Sequence, residues 1–483
     1  MLLTFVVIYL LASIAVGIIA ATRVHTARDF IEAGRSLPFY VVTATVFATW
    51  FGSETVLGIS STFIKDGLGG IVSDPFGSSL CLIFVGLFFA AKLYRMNLLT
   101  IGDYYRVRYN AVAEVLVSVA IVISYLGWLS AQIVVIGLVF SVVTAGAVSM
   151  EAGIVIGASV VVIYTLWGGM YSVAWTNFVQ MVVIVIGLFY IAWIVADKAG
   201  GVVSVVAHAE AAGKLEFWPK PDTRDVLAFI AAAITMMFGS IPQQDVFQRI
   251  NSSRTEKIAV YGSVLGGSLY FLFAFVPIFL AYSAYLIDPK MVDALMAQDH
   301  QLILPTLILQ ETPLLAQIIF FGALLSAVMS TASGTLLAPS VTFTENILKH
   351  ILQKDFTDRE MLRTMRVVVA CFAVIVTLFS LNTEATIYEM VVGAYKVTLV
   401  SAFVPLVCGL YWRRATTQGA LAAILLGFLV WISLEFLMPD ALVPPQLAGV
   451  LASAAAMVIG SLLPQWIGTQ GRRRPHEMIV NRP

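Results

Sequence analysis

Residues 43–61 read TATVFATWFGSETVLGISS, and the rest of the chain is organised around them. The stretch is apolar enough to span a membrane, yet it carries Glu54. Thr45, Thr49, Gly52, Ser53, Thr55 and Gly58 interrupt it further. A carboxylate at bilayer depth costs roughly 2.5–3.5 kcal/mol on insertion scales, so it faces protein or a wet cavity rather than lipid. The plainer alternative is a buried helix with one satisfied glutamate. The sharper one is a helix unwound beside Gly52, whose freed carbonyls hold an ion. Irregular backbone is tolerated at that depth only where it lines a cavity.

The surrounding sequence sets the class. Of 483 residues, 60% are hydrophobic and 12% charged, and the mean hydropathy is +0.93. That composition is an all-α polytopic membrane protein, with the lipid bilayer as its first partner. The formal net charge is zero, which leaves no electrostatic case for nucleic acid. Cys81, Cys371 and Cys408 fall in apolar spans without a CxxC pair and read as core packing. No basic residue precedes the first apolar run, MLLTFVVIYLLASIAVGIIAATR, so it reads as a retained span rather than a cleaved signal.

About 20 apolar residues cross the hydrocarbon, and this rule places about thirteen transmembrane helices. They lie near 2–22, 38–63, 77–95, 111–142, 148–168, 174–196, 226–250, 258–286, 314–346, 366–382, 386–411, 416–437 and 445–466. Lys and Arg then set the orientation. With the N-terminus outside, the inside segments hold Arg23, Arg28, Arg35, Lys92, Arg95, Arg106, Arg108, Arg249, Arg254 and Lys257. They also hold Lys349, Lys354, Arg359, Arg363, Arg366, Arg413, Arg414, Arg472, Arg473, Arg474 and Arg482. The outside segments hold only Lys65, Lys198, Lys214, Lys220, Arg224 and Lys290, and Lys396 is left within a span. The bias favours an N-terminus outside and a cytoplasmic C-terminus, in a cell inner or plasma membrane. The tail GRRRPHE reads as a solvated anchor. His25, His208, His300, His350 and His476 all lie near or beyond span ends. The spans therefore offer no catalytic cluster, and an enzyme is not expected. No obligate protein partner is inferred.

Three further places are polar. Span four carries Tyr125, Trp128, Ser130 and Gln132. Span seven reads FGSIPQQDVFQR, where Pro242 breaks the helix and Gln243, Gln244 and Asp245 follow. Span nine reads FGALLSAVMSTASGTLLAPS, with Ser326, Ser330, Thr331, Ser333 and Thr335. Each hydroxyl alone is compatible with plain helix packing. Two interrupted spans five apart, however, are what an inverted repeat of five helices predicts: spans two to six, then seven to eleven. Discontinuous helices in corresponding positions point to a midplane site, and hence to a secondary transporter of unspecified solute and ion. The expected parts are a first span and loop (1–36), repeat one (37–196), repeat two (226–412), and C-terminal spans with the basic tail (413–483).

The segment YTLWGGMYSVAWTNFVQMVVIVIGL (164–188) resembles the signature of the sodium/solute symporter family. The family's Gly-Gly, Thr-Asp and Gln are represented here by Gly168, Gly169, Thr176, Asn177 and Gln180. GRSLPFYVVTATVFATWFGSETVLG, SAVMSTASGTLL and IPQQDVFQRINSS are similar to its second, ninth and seventh spans. The likeness runs from about residue 25 to 415. It is nearest to the high-affinity choline branch, with the proline and pantothenate branches next.

The resemblance implies a five-plus-five inverted-repeat core and sodium-coupled symport of a small organic solute by alternating access. It implies sodium ligands from the carbonyls of Ala48, Phe51 and Ala327 and the hydroxyls of Ser330 and Thr331. Positions 327, 330 and 331 share one helix face, and neutral oxygens suit a hard cation. The family commonly has Asp where this chain has Asn177, so an extra ion there is disfavoured and one sodium per cycle is expected. Solute is expected against Trp50, Ser53, Glu54, Trp128, Gln132, Gln243 and Gln244. In the choline branch an aromatic cage holds a quaternary ammonium. Trp50 and Trp128 match two of its positions, but Ser78 and Gln243 stand where two more aromatics are expected, so a polar or zwitterionic solute is placed ahead of choline. The alternatives are a proton-coupled carrier titrating Glu54, Asp245 or Lys396, and a transporter-like sensor or channel subunit.

Overall fold

The computed structural model describes residues 2–353 and 356–467, apart from the side chain of Tyr164. Lys354, Arg472, Arg473, Arg474, His476 and Arg482 lie outside the described residues. The described chain is helical and holds no strand; Leu37 and Ser253 make one isolated bridge. Ten helices are long and apolar enough to cross a membrane, or eleven if the bent pair Thr223–Gly239 and Gln244–Ser252 is one span. About thirteen is reached only by also counting the divided second span and the shorter helix Met150–Ile163.

The second span follows its sequence closely. Its first half, Phe39–Trp50, starts after Pro38, whose missing N–H costs nothing at a helix start. It stops at Phe51, with φ −88° and ψ 74°. A widened turn over Glu54–Gly58 leads into Ile59–Asp66. The seventh span bends by 44° at Pro242 between its two halves. The ninth, Leu314–Thr342, is continuous, and from Phe320 almost every residue is buried. It is the central post against which the broken second span rests.

The stretch Met150–Lys198 holds the fifth and sixth spans as two helices joined at Gly169, where φ +48° and ψ −140° are non-helical. Gly169 has φ +48°, and a Cβ there would lie 2.4 Å from the Phe30 carbonyl oxygen, so only glycine fits. One feature departs from the sequence reading: the third span starts near Leu68 rather than residue 77, and Asp74 interrupts it with φ −145° and ψ 122°. The sequence spans 38–63 and 77–95 leave this stretch, with Asp66, Gly67, Asp74 and Pro75, between them.

Segments expected on one side of the membrane do meet one another. Arg28 and Arg35 both donate to Asn97 Oδ1 (2.5 and 2.6 Å). Arg95 makes a two-pronged contact with Glu256 (2.7 Å each), and Arg108 donates to the carbonyls of Gly409 and Ala415. At the opposite end Lys214 Nζ donates to Lys65 O (2.8 Å) and Lys198 to Glu311 (3.0 Å).

Candidate functional site

The break in the second span faces the hydroxyl face of the ninth. Ser330 Oγ lies 2.6 Å from Ala48 O and 2.7 Å from Ala327 O. Thr331 Oγ1 lies 3.4 and 3.2 Å from the same two carbonyls. Four neutral oxygens therefore converge with no ionised group among them. The Phe51 carbonyl, beyond the helix end, accepts no hydrogen bond from the described residues. Gly52 keeps the approach close: a Cβ there would meet Thr331 Oγ1 and Glu54 Oε2 at 2.6 Å and Gln132 Oε1 at 2.8 Å.

Beside this pocket Glu54 is buried and held by neutral donors. Trp128 Nε1 donates to Oε1 (3.1 Å) and Gln132 Nε2 to Oε2 (2.8 Å), with Ser53 Oγ at 3.4 Å. Gln132 Oε1 in turn accepts from the Ser53 backbone N–H (2.9 Å), which the break leaves outside the helical ladder. Among the described residues no Lys or Arg pairs with Glu54.

Four aromatic rings cluster beside this carboxylate, and Trp128 touches it. Trp50 contacts Trp128 (centroids 5.5 Å) and Tyr395 (5.9 Å), and Trp128 contacts Tyr395 (5.4 Å) and Tyr125 (5.9 Å). All four are buried, and the Tyr395 hydroxyl has no hydrogen-bond partner among the described residues. Gln243 borders the group, its Nε2 donating to Ser124 Oγ (2.9 Å) and Thr398 Oγ1 (3.3 Å).

Below lies a charged floor. Asp245 Oδ1 accepts from Tyr125 OH (2.5 Å), and its backbone N–H donates back to that oxygen (2.9 Å). Arg249, also buried, donates to Asp245 O and Thr49 Oγ1 (both 2.7 Å) and lies 4.0 Å from the Asp245 carboxylate. Asn177 Nδ2 donates to the same Thr49 hydroxyl (3.0 Å).

The structure thus gathers Ala48, Ala327, Ser330 and Thr331 at one point, with Phe51 at the adjoining helix end, and places Trp50, Ser53, Glu54, Trp128 and Gln132 next to it, while Gln243 bonds Ser124 and Thr398. Gln244 is not brought there: its Oε1 accepts from the Ile101 backbone N–H (2.8 Å). In the signature segment, the bend falls at Gly169, next to Gly168. Thr176 bonds back to Ser172 O (2.7 Å), and Gln180 lies beside Tyr9, whose hydroxyl is 2.5 Å from Ser326 Oγ. Lys396 turns away to Glu435 (2.6 Å). Sequence reasoning missed Tyr395 altogether, left Tyr125 out of the lining, and overlooked Asp74.

Broken helices packed on a continuous one, with converging neutral oxygens beside a buried carboxylate and a cluster of aromatic rings, are the architecture of a secondary transporter. The chain belongs to the sodium:solute symporter family, whose model matches residues 30–427. It is a membrane transporter rather than an enzyme. It is 28% identical over 464 residues to the human high affinity choline transporter 1, covering 89% of this chain and 76% of that one. The osmoregulated proline transporter OpuE of Bacillus subtilis is 24% identical over 462 residues, covering 88% and 87%. A solved Na+-coupled sialic acid symporter, in a substrate-bound outward-open state, superposes with a TM-score of 0.81 at 18% identity, covering 96% and 98% of the two chains. That likeness establishes the fold.

Proposed function

We propose that this chain imports a small organic ammonium solute together with sodium, and that repeats 37–196 and 226–412 alternate access to the site between them. The observation that carries sodium coupling is the convergence of the Ser330 and Thr331 hydroxyls on the carbonyls of Ala48 and Ala327. Neutral oxygens at the end of a broken helix suit a hard monovalent cation and bind it loosely enough for release. The Lys and Arg distribution supports an N-terminus outside and a cytoplasmic C-terminus, in a cell inner or plasma membrane.

The solute reading departs from the expectation of a zwitterion. The cage that looked half-empty gains two rings, Tyr125 and Tyr395, from spans four and eleven. A cation over ring faces gains about 2 kcal/mol or more when desolvated, and Glu54 supplies a counter-charge. A solute carboxylate fares worse beside Glu54 and Asp245: two of the three donating nitrogens of Arg249 are engaged by Asp245 O and Thr49 Oγ1, and Nε alone is left without a partner among the described residues. An organic cation without an acid group, such as choline, is therefore placed first, and the choline transporters among the relatives support this order. Equilibrium binding of choline, proline, pantothenate and a sugar to the purified protein tests it. Sodium-dependent choline binding that Trp128→Ala or Tyr395→Ala abolishes is expected. Tighter sodium-dependent binding of proline than of choline contradicts it.

A further inference from the structure

The break in the third span raises a question that the site above does not answer. Asp74 is 1% exposed. Its Oδ1 accepts from Tyr270 OH (2.6 Å) and from Ser78 Oγ, whereas Oδ2 has no hydrogen-bond partner among the described residues. Among the described residues no Lys, Arg or His pairs with Asp74. A buried, uncompensated carboxylate costs several kcal/mol, and its free oxygen is expensive to leave unmet. The backbone is non-helical at the same residue, and irregular backbone within a span belongs where it is packed in protein or lines a cavity.

The group is also wired to the rest of the site. Tyr270 OH, 2.6 Å from Asp74, lies 3.0 Å from Thr55 Oγ1, which donates to Trp50 O (3.2 Å) at the end of the broken second span. A ligand at Asp74 therefore bears on the helix end that shapes both the Ser330/Thr331 pocket and the aromatic cage. Two hydroxyls (Ser78 and Tyr270) and one carboxylate oxygen with a free position form an oxygen-only donor set suited to a hard cation.

We infer that Asp74, with Ser78 and Tyr270, is a second inorganic monovalent-cation site, separate from the Ser330/Thr331 pocket, and that it takes a second sodium ion. This goes beyond the proposed function and rests on its sodium coupling. It replaces the expectation of one sodium per cycle, which was drawn from Asn177 alone. The solute's ammonium is held apart, at Glu54 and the four rings.

The test is equilibrium binding of radiolabelled sodium to the purified full-length protein without solute, then with saturating choline. Two sodium ions per chain are expected, falling to one in Asp74→Asn and to a different one in Thr331→Ala. Ser78→Ala keeps the carboxylate and guards against misfolding of Asp74→Asn; it should weaken one of the two sites at least several-fold. A single sodium that Thr331→Ala removes and neither Asp74→Asn nor Ser78→Ala affects overturns the second site and leaves the proposed function standing. Loss of one ion in Asp74→Asn with both retained in Thr331→Ala has the opposite meaning. Displacement of one sodium by choline would assign Asp74 to the solute and overturn the inference. So would a proton, detected by dye, released on binding of the only sodium.

Discussion

Thr331 lies within reach of both carbonyls of the ion pocket and beside Gly52, so single atoms there have large consequences. Ser330→Ala or Thr331→Ala removes one oxygen contact to a charged ligand, worth about 1–3 kcal/mol. The sodium concentration for half-maximal transport should rise at least five-fold in each. Unchanged sodium dependence in both variants contradicts the pocket. Gly52→Ala puts a methyl group where Thr331, Glu54 and Gln132 converge, so sodium and solute binding should weaken together in isothermal titration. Tyr395→Phe removes a hydroxyl that none of the described residues bonds. If solute is its partner, half-saturating solute rises several-fold while solute-free sodium binding is unchanged.

At the level of elements, the sequence showed what breaks a helix by composition. Gly52 with Ser53, and Pro242 after Gly239 and Ser240, were legible because glycine and proline change backbone preferences directly. The hydroxyl face of span nine was legible through its spacing. The break at Asp74 was not, since an acid followed by proline near a span end reads as loop. Tyr395 was hidden for another reason. It is an aromatic in an apolar span beside Lys396, and neighbours on a helix point about 100° apart, so the charge drew attention to the wrong face. Tertiary packing alone brings span eleven to Trp50 and Trp128. The bend at Gly169 gives an element-scale test. Gly169→Ala meets the Phe30 backbone oxygen and a φ that L residues avoid. It should lower the melting temperature measured by detergent-solubilised thermal unfolding, whereas Gly322→Ala, where a Cβ meets nothing within 4 Å, should not.

For the whole molecule, the Lys and Arg bias and the observed meeting of loops make one prediction about topology. Single cysteines at Lys214 and Asp293 should react with an impermeant reagent from outside, and one at Asp358 only from inside. Labelling of Asp358 from outside would reverse the arrangement. The central claim, that a sodium gradient drives solute entry through this fold, is tested most directly in liposomes containing the purified protein. An inward sodium gradient at equal pH, an inward proton gradient without sodium, and no gradient are compared for uptake of radiolabelled choline. Concentrative uptake with sodium alone, abolished in Thr331→Ala, is the predicted result; concentrative uptake driven by protons in the absence of sodium would contradict it.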